Sequence, residues 1–237
     1  MPFMSLKREN VAEANPQILF EVSSPTMIDL HTHTIFSDGE LLPSELVRRA
    51  EVKGYTAIAL TDHVDYTNLE HVLSSLLKAK YLEDVLDIRV LVGVELTHVP
   101  GEKIEPLAAL ARRSGAELVV VHGETPAEPV RPGTNRAALE AGVDILAHPG
   151  FLTRAEAEMA RERGVCLEIT SRAGHNITNG HVARMAKEAG ALMVVNTDAH
   201  SPEDLIDQER AVQIAFGAGL DWEESRKIVV EHAILNK

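Results

Sequence analysis

Short apolar runs alternate with longer amphipathic stretches along the chain. Seven runs are too short for a buried helix and are bounded by turn or polar residues, so each predicts a β-strand. The predicted strands cover residues 27–30, 57–60, 88–94, 118–121, 145–147, 165–169 and 192–195. The amphipathic stretches predict helices over roughly 43–53, 68–86, 104–114, 135–142, 153–163, 178–189, 203–219 and 221–234. Pro43 near a helix start, Thr153 as an N-cap, and Gly54 and Gly190 after helix ends support these boundaries.

The alternation of apolar strands with helices predicts a parallel sheet covered by helices. An open sheet would concentrate polar residues at one or two switch points between strands. Here almost every predicted strand ends in His, Asp or Glu, as in a barrel whose active site lies at the C-terminal ends of its strands. We therefore predict an α/β fold with one barrel domain over residues 27–237, preceded by an N-terminal extension over residues 1–26.

Composition narrows the partners and the compartment. The 237 residues include 45% hydrophobic and 25% charged residues, which suits one globular domain with a real core. The net charge of −13 and the lack of a basic run argue against long nucleic acid as a partner. The single cysteine, Cys166, excludes an intrachain disulfide and is expected to be buried and inert. Without a long apolar segment or a signal-peptide core, we expect no membrane association and a cytoplasmic location, and the oligomeric state stays open.

Histidines and acidic residues gather where the predicted strands end. His31 and His33 lie two residues apart in the first strand, so both side chains face the same side. A lone histidine at a strand end is more often a satisfied polar residue than a ligand. Six of the eleven histidines, however, lie at or next to the ends of five predicted strands, which a barrel would bring together. Because neutral imidazole is a leading metal ligand, the set predicts a metal site.

The motifs at these strand ends resemble one known family. They read His-x-His with Ser-Asp-Gly, then Thr-Asp-His, Gly-Val-Glu, Val-His-Gly, Ala-His-Pro-Gly and Asp-Ala-His, in this order over about residues 27–205. This set resembles the PHP (polymerase and histidinol phosphatase) superfamily, and within it the stand-alone histidinol-phosphatase-like proteins. The resemblance implies a distorted (β/α)7 TIM-like barrel with two or three divalent ions. The ligands that it implies are His31, His33, Asp38, His63, Glu95, His122, His148, Asp198 and His200, with Glu95 bridging two ions.

The resemblance implies hydrolysis of a small phosphate monoester by a metal-bridging hydroxide, with L-histidinol phosphate as one candidate. Three divalent ions, three carboxylates and one hydroxide leave a charge of about +2, which a phosphomonoester dianion would neutralise. The mixed nitrogen and oxygen ligands suit Zn, Mn or Fe better than Mg or Ca.

The parts that would bind substrate are less distinctive. We expect Arg172 to bind phosphate and His175 to act as general acid, although the same residues also fit a solvated loop at a helix start. The segment 123–134 is expected to form one wall of the pocket. The carboxylates expected to attract a cationic group on the substrate are Glu95, Glu124 and Glu168.

Other residues near the strand ends have smaller expected roles. Glu168 lies inside an apolar strand and is expected to partner a metal ligand, because a buried charge needs a partner; direct ligation of a metal is the less favoured alternative. Asp29 and Asp62 are expected to accept structural hydrogen bonds. His98 follows Glu95 in a loop and is a weaker candidate for the site. The histidines in helical patterns, His71, His181 and His232, are expected to be surface or packing residues.

Three other functions remain open. A phosphodiesterase or 3′-nuclease would act on short oligonucleotides, and a non-catalytic regulatory subunit would hold metal without turnover. Metal-dependent amidohydrolases also begin with His-x-His, but they characteristically use a bridging lysine, and no lysine ends a predicted strand here. Activity on a phosphate monoester but not on a dinucleotide would separate the phosphatase from the nuclease.

Overall fold

The computed structural model describes residues 27–230. Within that range the strands are β1 (Met27–Asp29), β2 (Tyr55–Leu60), β3 (His63–Val64), β4 (Arg89–Leu96), β5 (Leu118–His122), β6 (Ile145–Ala147), β7 (Cys166–Thr170) and β8 (Met193–Asn196). The α-helices are α1 (Pro43–Val52), α2 (Leu69–Leu76), α3 (Gly101–Arg113), α4 (Thr134–Ala141), α5 (Arg154–Arg163), α6 (Asn179–Ala189), α7 (Gln208–Gly217) and α8 (Trp222–Val230). Short 3-10 helices cover Leu77–Asp84, His175–Thr178 and Pro202–Asp204.

The strands form a nearly closed barrel. Seven of them pair in parallel in the order β1-β2-β4-β5-β6-β7-β8, and the short β3 pairs with β4 beside this path. A parallel bridge between Thr32 and Ala199 joins the chain after β1 to the chain after β8. His33 N donates to Ala199 O over 2.8 Å, and Asp198 N donates to His31 O over 2.9 Å. The predicted parallel (β/α)7 barrel is thereby confirmed, and it closes at the C-terminal ends of its strands.

Two apolar layers hold the barrel together. A small cluster that includes Leu91, Leu118, Val120 and Cys166 packs as one group of buried side chains. The alternate residues of the same strands belong to a larger cluster shared with the helices. Because strand side chains alternate between faces, the small cluster fills the barrel interior and the large one lies beneath the helices.

Several predicted helix ends are confirmed in detail. Thr153 caps α5, and its hydroxyl and the side chain of Glu156 form a reciprocal capping box. Pro43 begins α1, and Gly190 ends α6 with a left-handed backbone that suits glycine.

The predicted helix over 68–86 is wrong in its second half. The α-helix ends at Leu76 and continues as the 3-10 helix Leu77–Asp84. Lys80 Nζ donates to Val90 O over 2.7 Å, while Val90 N donates to Glu83 Oε1 over 2.8 Å. These contacts tie the segment to the start of β4, and such tertiary contacts outweigh local helix propensity.

The predicted helix over 203–219 begins later than expected. Asp207 accepts from Arg210 N over 2.8 Å and so caps a helix that starts at Gln208. The preceding turn Pro202–Asp204 is separate.

Three predictions fall outside the described residues: the N-terminal extension over 1–26, the last residues of the helix over 221–234, and the role of His232. No helix within residues 27–230 is long and apolar enough to cross a membrane.

Candidate functional site

The alternation of the strands places the predicted ligands at the mouth of the barrel. In β4 the interior positions run Leu91, Gly93, Glu95, so Glu95 continues the inward-facing row. The same alternation brings His122 to the interior at the end of β5 and Asp198 to the interior just beyond β8. Glu95 and His122 are therefore fixed by rigid strands, Asp198 follows directly after one, and all three side chains lie at the mouth of the barrel.

Two of the ligand positions depend on unusual backbone. His148 has a φ of 27° and Asp198 a φ of 53°, a region that side chains other than glycine rarely adopt. The turn at His148 brings its side chain inward one residue after Ala147, where simple alternation would point it away. Strained backbone of this kind is typical of functional sites, because the surrounding structure must hold it in place.

The loops that follow β5 and β6 approach each other closely at this end of the barrel. A Cβ on Gly123 would lie 2.3 Å from Ala147 O, and one on Gly150 would lie 2.0 Å from Glu124 O. Gly150 also has a φ of 65°. Only glycine fits either position without movement of the neighbouring backbone.

The first group of possible metal ligands consists of His31, His33 and Asp198, all buried. The Nε2 atoms of His31 and His33 are 3.1 Å apart. Asp198 Oδ1 lies 3.2 Å from His33 Nε2, and Glu95 Oε1 lies 3.3 Å from His31 Nε2. Ligands about 2.1 Å from one ion are separated by such distances, so these atoms can share an ion.

A second group joins Glu95 to His122 and His148. One ligand atom from each lies within 4.8 Å of the others, and all three side chains are buried. His148 Nε2 is 3.7 Å from Glu95 Oε1.

A third group is formed by His33, Asp38, His63 and His200, nearer the solvent. Asp38 Oδ1 lies 3.2 Å from His200 Nε2 and 3.5 Å from His63 Nε2. Glu95 Oε2 is 2.6 Å from His63 Nδ1, so the Glu95 carboxylate touches this group as well as the first two.

The donor set fits divalent ions. Among the described residues, four ring or carboxylate atoms in the cluster are buried without a hydrogen-bond partner: His33 Nδ1, His122 Nδ1, His148 Nδ1 and Glu95 Oε1. A buried polar atom left unsatisfied costs about 1–3 kcal/mol. Glu95 Oε1, which lies 3.3 Å from His31 Nε2 and 3.7 Å from His148 Nε2, faces the other ligand candidates and is free to bind an ion. Imidazole nitrogens mixed with carboxylate oxygens are the donors that zinc, manganese and iron accept.

The crowded charges perturb one another strongly. Burial lowers the pKa of His31, yet the surrounding carboxylates, above all that of Glu168, raise this pKa well above its ordinary value. Burial and the positive charge of His63 hold the pKa of His33 well below its ordinary value. Burial raises the pKa of Asp198 to about 7. Divalent cations bind the deprotonated groups, so they compete with protons throughout this cluster.

Glu168 contacts two of the ligand histidines, His31 and His148. Its Oε1 lies 2.8 Å from His31 Nδ1 and accepts from Asn196 Nδ2 over 2.8 Å. Its Oε2 accepts from the backbone N–H of His148 over 3.0 Å. The contact at Nδ1 fixes the ring orientation of His31 and leaves Nε2 to face the cluster, which fits the predicted role of Glu168 as the partner of a metal ligand. Glu168 also forms a fourth buried group of possible metal ligands with His31 and His148, so its direct ligation stays an alternative. Asn196 was missed, although it lies two residues before Asp198 on the same strand face.

Asp29 and Asp62 accept structural hydrogen bonds, as predicted. Asp29 accepts from the backbone and hydroxyl of Thr197, next to Asp198, over 3.2 and 2.5 Å. Asp62 accepts from the backbone and hydroxyl of Thr34 over 2.8 Å each, and from Ser37 Oγ over 2.7 Å. The two carboxylates therefore anchor the loops that carry metal-ligand candidates.

Arg172 lies at the edge of the cluster but is held by the protein. Its NH1 group donates to Asp204 Oδ2 over 3.2 Å and to Asp198 O over 3.3 Å. Asp204 in turn accepts from the backbone of His200 over 2.9 Å. These bonds tie Arg172 to the loop that carries Asp198 and His200.

His175 is buried beside the second group. Its ring lies 4.4 Å from the ring of His148, and its Nδ1 is 2.9 Å from Thr125 Oγ1. Its Nε2 lies 3.5 Å from Glu128 Oε1. Burial lowers the pKa of His175.

Glu128 was not predicted from the sequence. It lies in the segment 123–134, and its Oε2 is 3.2 Å from His122 Nε2 and 3.5 Å from His98 Nε2. The hydrogen bond to His122 lowers the pKa of Glu128 to about 2. Nothing in the residue pattern marks a single acidic residue in a proline-rich loop, so only the fold reveals it.

Glu124, which was expected to attract a cationic group on the substrate, has a structural role that was not predicted. Its Oε1 accepts from Gly133 N and Asn135 N over 2.9 Å each, so it stabilises the start of α4. The other two carboxylates expected to attract a cationic substrate, Glu95 and Glu168, are fully buried among the histidines.

The remaining histidines divide as follows. His98 lies at the rim, with its ring 5.4 Å from that of His122. His71 packs near Phe36, and His181 lies 2.7 Å from Leu152 O, in agreement with packing roles. His232 lies outside the described residues.

Comparison with known proteins decides the family. The PHP domain family matches residues 29–172, more than half of the chain. The chain belongs to the PHP domain family. An uncharacterized protein of Methanocaldococcus jannaschii is 50% identical over 210 residues, which cover 86% of this chain and 95% of that protein. A probable phosphatase of Shewanella pealeana is 32% identical over 79% of this chain and 83% of its own length.

Two further proteins are similar to this chain. Ribonuclease P protein component 3 of Methanosarcina barkeri is 26% identical over 88% of this chain and 87% of its own length. The crystal structure of histidinol phosphate phosphatase from Lactococcus lactis, complexed with zinc, L-histidinol and phosphate, has a TM-score of 0.59 and 17% identity. It covers 83% of this chain and 95% of that chain, and this likeness shows the shared fold.

The predicted family and class of activity are confirmed. This PHP protein is a metal-dependent phosphoesterase of the hydrolase class. Several groups of possible metal ligands lie where that chemistry needs them, at the mouth of the barrel.

Proposed function

We propose that this PHP protein hydrolyses small phosphate monoesters with the aid of two or three divalent ions. The observation that carries the proposal is the convergence of the three ligand groups on Glu95, whose carboxylate lies within 3.7 Å of His31, His33, His63 and His148. Bound ions would supply a water of lowered pKa and clamp the oxygens of the transferred phosphoryl group.

Nine residues would hold the ions, one carboxylate to each group. His31, His33 and Asp198 form the first group, and Glu95, His122 and His148 the second. Asp38, His63 and His200 complete the third. The relatives named above support the use of metal but leave its identity among Zn, Mn and Fe to experiment.

Arg172 and His175 would handle the substrate. The Arg172 guanidinium lies beside Asp198, with its Nε 4.0 Å from Asp198 Oδ2, and it would offset the charge of a phosphate bound there. His175 Nε2 would donate a proton to the leaving oxygen. Burial lowers the pKa of His175, and the negative charges of Glu128 and of a bound phosphate would favour its protonated form.

The test is a phosphate-release screen over phosphorylated metabolites, L-histidinol phosphate among them, with Mn²⁺, Zn²⁺ or Fe²⁺ supplied. The proposal expects turnover of at least one monoester and a loss of roughly 10³-fold or more in Glu95→Gln, because one bridging charge is removed. Glu162→Gln, which changes an exposed carboxylate on α5, serves as the control and should be unaffected. Unchanged turnover in Glu95→Gln would contradict the proposal.

A second candidate is a subunit that binds metal and works in an assembly without turnover. It is favoured by the likeness to a ribonuclease P protein component, which covers most of both chains. Metal bound at the cluster, with neither phosphate release from any monoester nor cleavage of a dinucleotide into mononucleotide and nucleoside, would support this role instead. Turnover of a dinucleotide alone would identify a nuclease.

A further inference from the structure

The carboxylate of Glu128 lies among three imidazoles at the edge of the candidate site. Its oxygens are 3.2 Å from His122 Nε2, 3.5 Å from His98 Nε2 and 3.5 Å from His175 Nε2. His122 belongs to a ligand group, and His175 is the candidate proton donor. If the proposed function holds, Glu128 borders both the reacting phosphate and the group that leaves.

The segment that carries Glu128 is fixed by its own hydrogen bonds. Val130 N donates to Glu128 O over 2.9 Å, and Ala127 N donates to Thr125 Oγ1 over 3.2 Å. Gly133 N donates to Glu124 Oε1 over 2.9 Å at the far end of the segment. These bonds hold the backbone on both sides of Glu128, and the contacts with the three imidazoles place its carboxylate at the wall of the site.

The Glu128 side chain is partly exposed, so its charge can act on a ligand bound at the site. Its side chain is 39% exposed, whereas that of His122 is 3% exposed. The carboxylate thus lies between the buried ligands and the solvent, beside His175, where the leaving group of an ester protonated by His175 would lie. At separations of about 6–8 Å and an effective dielectric constant near 20, one such charge changes affinity by roughly tenfold or more.

We propose that Glu128 is a specificity-determining residue that disfavours phosphate esters carrying a second negative charge. Esters whose leaving group is cationic or neutral would bind, and those with a carboxylate or a second phosphate would be disfavoured. This inference rests on the proposed function and sharpens it, because the same charge would oppose a polyanionic oligonucleotide.

Two phosphonates that cannot be hydrolysed test the inference by binding alone. 2-Aminoethylphosphonate and phosphonoacetate are similar in size, but the second group is a cation in one and an anion in the other. Calorimetric titration of the Mn²⁺-loaded protein gives the ratio of their dissociation constants. Methylphosphonate, which has no second group, reports on the phosphate-binding site itself.

The wild-type protein should bind 2-aminoethylphosphonate more tightly than phosphonoacetate. Glu128→Gln removes the charge and keeps the shape of the side chain. It should reduce the preference for 2-aminoethylphosphonate, measured as the ratio of the two dissociation constants, by roughly tenfold or more. Glu128→Asp should retain most of the preference. Glu140→Gln is the matched control, since Glu140 is an exposed carboxylate paired with Arg136 on α4, and it should leave the ratio unchanged.

Other results of these titrations would contradict either the role of Glu128 or the phosphate site itself. If the wild type and Glu128→Gln both bind methylphosphonate and have the same ratio of dissociation constants for the two other phosphonates, Glu128 does not determine specificity. The proposed function would still stand. Failure of the Mn²⁺-loaded wild type to bind methylphosphonate would overturn the phosphate site on which both depend. Loss of one equivalent of metal in Glu128→Gln, with the ratio unchanged, would make Glu128 a ligand instead. If Glu128→Gln does not fold, the test uses the wild type alone. Its preference for 2-aminoethylphosphonate over phosphonoacetate must then weaken as the salt concentration rises from about 0.05 to about 0.5 M, and a constant preference contradicts the inference.

Discussion

Glu168→Gln removes the charge beneath the cluster while keeping the shape of the side chain. All three partners of Glu168 present donors to it: His31 Nδ1 and Asn196 Nδ2 at 2.8 Å, and His148 N at 3.0 Å. A glutamine has one acceptor oxygen, so its amide must face at least one of these donors. The least costly arrangement turns the amide toward His148 N and leaves that buried N–H without an acceptor.

The magnitude follows from these contacts. A buried donor left unsatisfied costs about 1–3 kcal/mol, and the lost charge also weakens the hold on His31. We expect the free energy of unfolding of the metal-free protein to fall by about 2 kcal/mol. Replacing the hydrogen-bond partner of a metal-binding histidine typically costs about 10–100-fold in metal affinity, and we expect a loss in that range.

Two assays separate these effects. Urea unfolding measures stability, and competition with a chromophoric chelator measures affinity for Zn²⁺ or Mn²⁺. Thr153→Ala is the matched control, because it removes the capping box of α5, lowers stability by about 1 kcal/mol and should leave metal affinity unchanged. If Glu168→Gln loses no more affinity than this control, Glu168 does not orient a metal ligand.

Two further substitutions test the supports of the site. Asp62→Ala removes the acceptor for Thr34 and Ser37, so the loop that carries Asp38 should loosen, and elemental analysis should find about one equivalent less metal; full metal content would contradict this role. Gly150→Ala forces a Cβ to within 2.0 Å of Glu124 O at a φ of 65°, so the melting temperature should fall by several degrees, reflecting about 2 kcal/mol or more. An unchanged melting temperature would mean that the two loops separate without cost.

Regular features of the barrel were predictable because they repeat. Apolar runs of strand length mark the seven barrel strands, and alternation puts Glu95, His122 and Asp198 on the interior face. Helix ends with strong local chemistry, such as Thr153 with Glu156, are also visible in the sequence. In these cases local preference and the final fold agree.

The errors arise where contacts distant in sequence decide the outcome. The segment Leu77–Asp84 leaves the α-helical path because Lys80 and Glu83 bond to Val90. Glu124 and Glu128 lie four residues apart in one loop, yet the first caps a helix and the second faces three histidines. Nothing local distinguishes them, since their roles depend on which elements the loop passes.

We expect the histidines and carboxylates at the barrel mouth to bind divalent ions jointly. The most direct test is an anomalous-scattering map from crystals of the protein grown with Mn²⁺ or Zn²⁺. Two or three peaks are expected, one bound by His31, His33 and Asp198, and another by Glu95, His122 and His148. If crystals grown in the presence of the metal give a map with no peak beside His31 and His33, these residues do not bind metal and the proposed metal site is wrong.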